Sequence, residues 1–90
     1  MKRIVEVAES EGGGLEALLG LDVEIWCLNY IYAGKLVGVD ASDVVLENAH
    51  LVFETGPYGD SSFTDAQKLA PQEWRIRTAA IESYGRTSKL

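Results

Sequence analysis

The feature that most constrains this sequence is a change of hydrophobic period at residue 22, after which apolar and polar residues alternate. Val23, Ile25 and Cys27 fall on one face of this segment, with a glutamate and a tryptophan between them on the other. A two-residue period rich in β-branched and aromatic residues is typical of a β-strand. The sequence therefore predicts a strand at about 22–29.

Two further strands are expected directly after it, at about 31–40 and 43–55. Gly34 and Gly38 interrupt the second strand, and glycines inside a strand mark sharp bends or close backbone approach. This strand should therefore curl strongly, as a small barrel requires. The alternation of the third strand slips near Asn48-Ala49, which predicts a β-bulge there.

The remaining segments complete the predicted fold. Residues 15–19 are good helix formers before Gly20, and 73–77 and 80–84 are two short strand patterns. Residues 56–72 are predicted to be an inserted surface connection. Within it, Thr64-Asp65-Ala66-Gln67 has a capping-box pattern, which predicts a short helix ended by Pro71. We expect one all-β domain over 1–90, with a short N-terminal helix and a strongly bent, open, five-stranded barrel of SH3-like or Sm-like type.

Composition narrows the function classes. The chain has one cysteine, one histidine and a net charge of −6. An internal disulfide is excluded, no metal or other cofactor is expected, and a core this small favours support from self-association. No segment has the length and hydropathy of a membrane span, and no signal peptide opens the chain, so we expect a cytoplasmic protein without a membrane partner. The acidic charge disfavours non-specific binding to phosphate backbones.

Catalytic chemistry has no candidate residues in this sequence. Gly12-Gly13-Gly14 lacks the Lys and Ser/Thr of a phosphate-binding loop. Cys27 lies in an apolar run without a basic neighbour, which favours a small buried hydrophobic residue over a reactive thiol. His50 has no Cys, Asp or Ser at a spacing typical of a catalytic or metal site, and it is predicted to be a surface or interface residue. We expect no enzymatic activity.

Two short motifs carry a family resemblance. Residues 32–40, Tyr-Ala-Gly-Lys-Leu-Val-Gly-Val-Asp, have an aromatic, a glycine, a leucine and an aspartate at set spacing. Residues 76–81, Ile-Arg-Thr-Ala-Ala-Ile, have the spacing of an Ile-Arg-Gly motif, with Thr78 in place of its glycine. In order and spacing the chain resembles the Sm and Sm-like (LSm) family over about four-fifths of its length. The long connection is similar to that of Sm-like proteins from marine phages, which would place the protein in a host cytoplasm.

The resemblance implies a ring of roughly five to seven copies that binds single-stranded RNA at its inner rim. The RNA-binding positions implied by the motifs are Asp40, Ser42, Asp43, Arg77 and Thr78. The expected subunit interface follows the last two strands and comprises Trp74, Ile76, Ile81 and Tyr84. The family's stacking position falls near Ala41-Ser42, where neither residue has an aromatic ring.

Several alternatives remain open from the residues. Asp40 and Asp43 also suit turn positions, where an aspartate side chain bonds nearby backbone amides, and Arg77 suits an ion pair with one of them. The absent aromatic ring and the acidic charge favour a second function, an acidic structural or interaction ring, such as a phage-encoded adaptor, that does not bind RNA. A third is a monomeric SH3-like peptide-binding module.

Overall fold

The computed structural model describes residues 2–3, 14–69 and 72–90. Across these residues the protein is mostly antiparallel β-sheet with almost no helix. Its seven strands are β1 (Lys2–Arg3), β2 (Asp22–Cys27), β3 (Ile31–Val39), β4 (Asp43–Glu54), β5 (Asp65–Lys68), β6 (Trp74–Arg77) and β7 (Ile81–Arg86). The helix predicted at 15–19 is present as a 3-10 helix, Leu15–Leu18, and a second 3-10 helix, Thr78–Ala80, joins β6 to β7.

The strands form one open sheet in the order β5–β4–β3–β2–β7. β6 also pairs with β4, and β1 pairs with the end of β3. The three consecutive strands predicted between residues 22 and 55 are thus confirmed as the centre of the sheet. β2 ends at Cys27, where the chain turns and the Cys27 amide donates to the Tyr30 carbonyl at 2.9 Å. β7 extends to Arg86, beyond the predicted end, because it pairs along β2 as far as Val23.

The alternation of β2 and β3 explains the core. Val23 and Ile25 have no exposed surface, whereas Trp26 on the opposite face is exposed. Leu36 and Leu46 lie opposite each other across β3 and β4, and both are fully buried. Burying one such side chain contributes about 1.5–3 kcal/mol. The core cluster comprises Leu19, Val23, Ile25, Leu36, Val39, Val44, Leu46, Ala49 and Ile76.

The bulge predicted near Asn48-Ala49 is confirmed. Ala33 pairs with His50 and Lys35 with Glu47, so two steps along β3 face three along β4. Asn48 takes the extra position with a φ of 53°, a backbone conformation that asparagine tolerates better than most residues. Gly34 lies opposite this bulge. A Cβ at Gly34 would meet the Glu47 carbonyl oxygen at 2.9 Å, so only glycine fits without movement of the backbone.

The predicted helix within the 56–72 insertion is wrong. Residues Asp65–Lys68 form β5, which pairs antiparallel with the second half of β4, from His50↔Lys68 to Glu54↔Asp65. The capping-box pattern takes account only of contacts between residues close in sequence, and here pairing with a distant strand decides the structure. A 12-residue β4 leaves a row of backbone groups at its edge, and pairing with β5 satisfies them. Instead of capping a helix, Thr64 lies against Gly56 at the base of the loop.

β5 and β6 are two halves of one interrupted strand along β4. From His50↔Lys68 to Leu46↔Trp74, β4 advances four residues while its partner advances six. This two-residue offset falls between β5 and β6, where the Leu69 amide donates to the Ala49 carbonyl at 2.8 Å. Residues 50–68 therefore form a hairpin that extends the sheet, and the first part of the predicted insertion lies in it. We call it the 50–68 hairpin.

Candidate functional site

The turn between β3 and β4 is organised by the side chain of Asp40. Its Oδ1 accepts hydrogen bonds from the Ser42 amide at 2.8 Å, the Asp43 amide at 2.8 Å and the Ser42 hydroxyl at 3.0 Å. These donors, the Asp43 amide first and the Ser42 amide next, hold the pKa of Asp40 below its ordinary value. Asp40 therefore has the turn role, and its carboxylate is ionised at neutral pH.

Thr78 joins this turn to the 3-10 helix that follows β6. Its amide donates to the Ser42 carbonyl at 2.7 Å, and its hydroxyl donates to the Asp40 carbonyl at 3.2 Å. A glycine, as in the family motif, could make only the first of these bonds. Thr78 at this position therefore adds a side-chain connection between two loops that are 38 residues apart in the sequence.

Two arginines of β6 face the carboxylate of Asp43. The Arg77 Nε lies 3.6 Å from one carboxylate oxygen, and an Arg75 guanidinium nitrogen lies 3.9 Å from the other. The pairing follows from register, since Asp43 is opposite Arg77 in the β4–β6 ladder. The Arg77 side chain is 82% exposed, so this long ion pair contributes little to stability. Together with the ionised Asp40 of the same turn, the region holds two carboxylates and two guanidinium groups, so its charges balance.

All five residues that the motifs indicated thus lie in one cluster. We call this cluster, formed by the 40–43 turn and residues 75–78, the rim. Its predicted members Asp40, Ser42, Asp43, Arg77 and Thr78 are joined by the hydrogen bonds and ion pairs given above. Arg75 belongs to the rim but was not predicted. Its position two residues before Arg77 on the same strand was a usable signal, because alternate residues of a strand share a face.

An open pocket of about 460 Å³ adjoins the rim. It is lined by Cys27, Leu28, Asn29, Tyr30, Tyr32, Arg75, Ile76, Arg77, Ala79 and Ala80. The rings of Tyr30 and Tyr32 lie with centroids 6.2 Å apart at an interplanar angle of 52°. Burial raises the pKa of the Cys27 thiol and is the main cause that raises the pKa of Tyr32, so both groups are protonated at neutral pH. Sequence reasoning missed this pocket because its two sides are 45 residues or so apart along the chain.

The four predicted interface residues differ in exposure. Ile76 is buried in the core of its own chain, and Trp74 and Ile81 pack against that core. Tyr84 is the most available, with 41% of its surface exposed. Among the described residues, β6 pairs only with β4, and β7 pairs only with β2. Each of these two strands therefore has one backbone edge without a partner strand.

Metal sites and membrane-spanning helices were also sought in the part of the chain that the structure describes. No three His, Cys, Asp or Glu side chains there are grouped so that they could hold a metal ion. The Nδ1 of His50 lies 2.9 Å from the Asn48 carbonyl oxygen, a contact within its own strand. No helix of residues 14–69 and 72–90 is long and apolar enough to cross a bilayer. Comparison with models of known protein families and with curated proteins gives no match.

Proposed function

We propose that this protein is an Sm-like subunit that assembles with copies of itself into a ring and binds single-stranded RNA at the rim. The observation that carries the proposal is the junction of two distant loops through Thr78, beside the exposed guanidinium of Arg77. A site built from two separate loops and held by backbone hydrogen bonds positions its side chains before a ligand arrives, which reduces the entropy cost of binding.

Self-assembly is supported by the two unpaired strand edges. An open sheet with a free edge at β6 and another at β7 can add the β6 of one copy to the β7 of the next. Such head-to-tail pairing closes into a ring when the rotation between copies permits. The exposed ring of Tyr84 on β7 would be covered in such a contact. We expect roughly five to seven copies, as in the family that the motifs resemble.

RNA binding is supported by the local charge of the rim. The chain carries −6 overall, whereas in the rim the two arginines, Arg75 and Arg77, balance the ionised carboxylates of Asp40 and Asp43. Because Arg77 is mostly exposed, its guanidinium can leave the long contact with Asp43 and bind a phosphate or a base edge in a fork geometry. In an acidic protein, a rim whose charges balance and whose Arg77 is exposed repels an RNA backbone less than the surface as a whole, so RNA should bind there.

A second candidate function is favoured by the same ion pairs. Asp43 engages both Arg75 and Arg77, and residues 41–42 of the turn offer no aromatic ring for stacking. An acidic ring that binds protein partners and no RNA would have these features. The two functions differ in one measurable property, which is affinity for single-stranded oligonucleotides.

The test combines solution mass with RNA binding. Light scattering should give a mass of roughly five to seven chains. A mass of one chain would end the ring proposal and favour a monomeric SH3-like module. Fluorescence anisotropy with labelled oligo-U and oligo-A at low salt should show binding that Arg77→Ala weakens about tenfold, or ~1.4 kcal/mol. Lys35→Ala, which removes the same charge from an exposed position outside the rim, is the control. Absence of binding at tens of micromolar protein would favour the second function.

A further inference from the structure

We propose that the pocket beside the rim is a base-stacking site, in which Tyr30 and Tyr32 hold one nucleobase of a single-stranded RNA. The inference rests on the proposed RNA-binding function and names a contact that the motifs do not indicate. It would supply the aromatic stacking that residues 41–42 of the turn lack. Stacking on aromatic side chains is a principal source of affinity for single strands, since every base has a π-face.

The two tyrosines are arranged as a supported platform. Tyr32 lies in β3 and packs against the core cluster, which holds its ring in place. Tyr30 precedes β3, has 54% of its surface exposed and leans on Tyr32 with a 52° tilt between the rings. A tilted pair of this spacing is a favourable aromatic arrangement. The ring of Tyr32 is therefore held by the core. The ring of Tyr30 is held by its contact with Tyr32 and still faces solvent.

The charges around the pocket suit a nucleotide. Among the described residues that line the pocket, only Arg75 and Arg77 are charged, although the chain as a whole is acidic. Their side chains are 50% and 82% exposed, and none of the residues that line the pocket in the described part of the chain is an aspartate or a glutamate. A base on the tyrosines would thus have cations within the same pocket for its flanking phosphates.

The size and walls of the pocket also fit a base. Its volume of about 460 Å³ lies within the range of small-ligand sites. Ala79 and Ala80 leave space on one side, and Cys27 and Leu28 provide an apolar wall on the other. Among these, Leu28 is 85% exposed, so its side chain is free to contact a base in the pocket.

Arg77 connects this pocket to the rim, because it belongs to both. An RNA strand whose phosphate or base contacts Arg77 at the rim can therefore continue directly into the pocket that Tyr30 lines. The rim and the pocket would then bind successive nucleotides of one strand.

The experiment compares three tyrosine variants in the full chain by anisotropy. Tyr30→Ala should weaken binding of the labelled oligonucleotide by about fivefold or more, whereas Tyr30→Phe, which keeps the ring, should bind within about twofold of wild type. Tyr58→Ala is the matched control, because Tyr58 is fully exposed and lies outside the pocket. If Tyr30→Ala binds as tightly as wild type, the stacking site is refuted while the proposed function stands.

A second measurement separates stacking from a general loss of structure. An abasic residue is moved along the oligonucleotide, and its effect is measured with wild type and with Tyr30→Ala. At one position the abasic residue should weaken binding to wild type but not to the variant, which is the signature of a direct contact in a double-mutant cycle. Equal losses for both proteins at every position would overturn the proposal. If wild type binds no oligonucleotide, the proposed function itself fails.

Discussion

Gly34→Ala tests whether the pairing of β3 with β4 depends on close backbone approach at the bulge of β4. An added Cβ would lie 2.9 Å from the Glu47 carbonyl oxygen, 3.1 Å from the Leu46 Cβ and 3.2 Å from the Ala49 Cα. These neighbours belong to the backbone or its first side-chain atom, so no flexible side-chain end can move aside. The two strands themselves must shift.

The magnitude follows from two opposing terms. Overpacking in a well-packed core costs about 1–3 kcal/mol. Replacing glycine by alanine within a strand also reduces the entropy of the unfolded chain, which stabilises by about 0.5–1 kcal/mol. Gly85→Ala isolates the second term, because a Cβ at Gly85 in β7 meets no atom within 4 Å. The difference between the two variants is therefore the steric term alone.

Thermal unfolding followed by circular dichroism gives this difference directly. About 1 kcal/mol corresponds to 4–8 °C in Tm for a domain of this size, so Gly34→Ala should melt at least about 4 °C below Gly85→Ala. Protein concentrations must be equal, since self-association would make Tm depend on concentration. Equal Tm values for the two variants would show that β3 and β4 do not approach as described, and the steric reasoning would be wrong.

Two further predictions concern single groups. In an NMR titration the carboxyl of Asp40 should have a pKa below its ordinary value, because the folded turn bonds its ionised form. The stabilisation is present above the ordinary pKa and is lost as the pH falls through the lowered pKa. An ordinary pKa for Asp40 would mean that the turn bonds are not formed in solution. Lys89→Met should increase amide hydrogen exchange at Thr55, Gly56 and Tyr58 but not in β2 and β3. The reason is that the Lys89 ammonium donates to the carbonyls of Thr55 at 2.6 Å and Pro57 at 2.9 Å. Unchanged exchange at 55–58 would show that this contact does not order the loop.

Local patterns predicted the centre of the sheet well. The alternation of β2, the glycine at residue 34 of β3 and the slip at Asn48-Ala49 are signals carried by neighbouring residues. They correspond to an observed strand, a close backbone approach and a bulge. The rim was also predictable, although from motif spacing and not from local chemistry. Register then determines its geometry, because Asp43 and Arg77 are paired across β4 and β6.

Features that depend on distant pairing were missed. The capping-box pattern at 64–67 is consistent with a helix when read alone, but the edge of β4 provides hydrogen-bond partners that the local sequence does not reveal. The pocket likewise depends on how the turn at 28–30 meets the segment 75–80. No local pattern encodes such a meeting, because it follows from the order of strands in the whole sheet.

The direct pairing of β6 with β4 has a consequence for how this protein can be modified. Arg75 and Arg77 are two residues apart on β6 and therefore share a face, and β6 takes its register from its own pairs with β4, including Asp43↔Arg77. The register of the rim is then independent of the length of the 50–68 hairpin. Residues 57–62 at its tip are all exposed, which makes them a suitable insertion point for an affinity tag or a fluorophore. A label placed there would test the proposed assembly and RNA binding without occupying the rim or the free edges of β6 and β7.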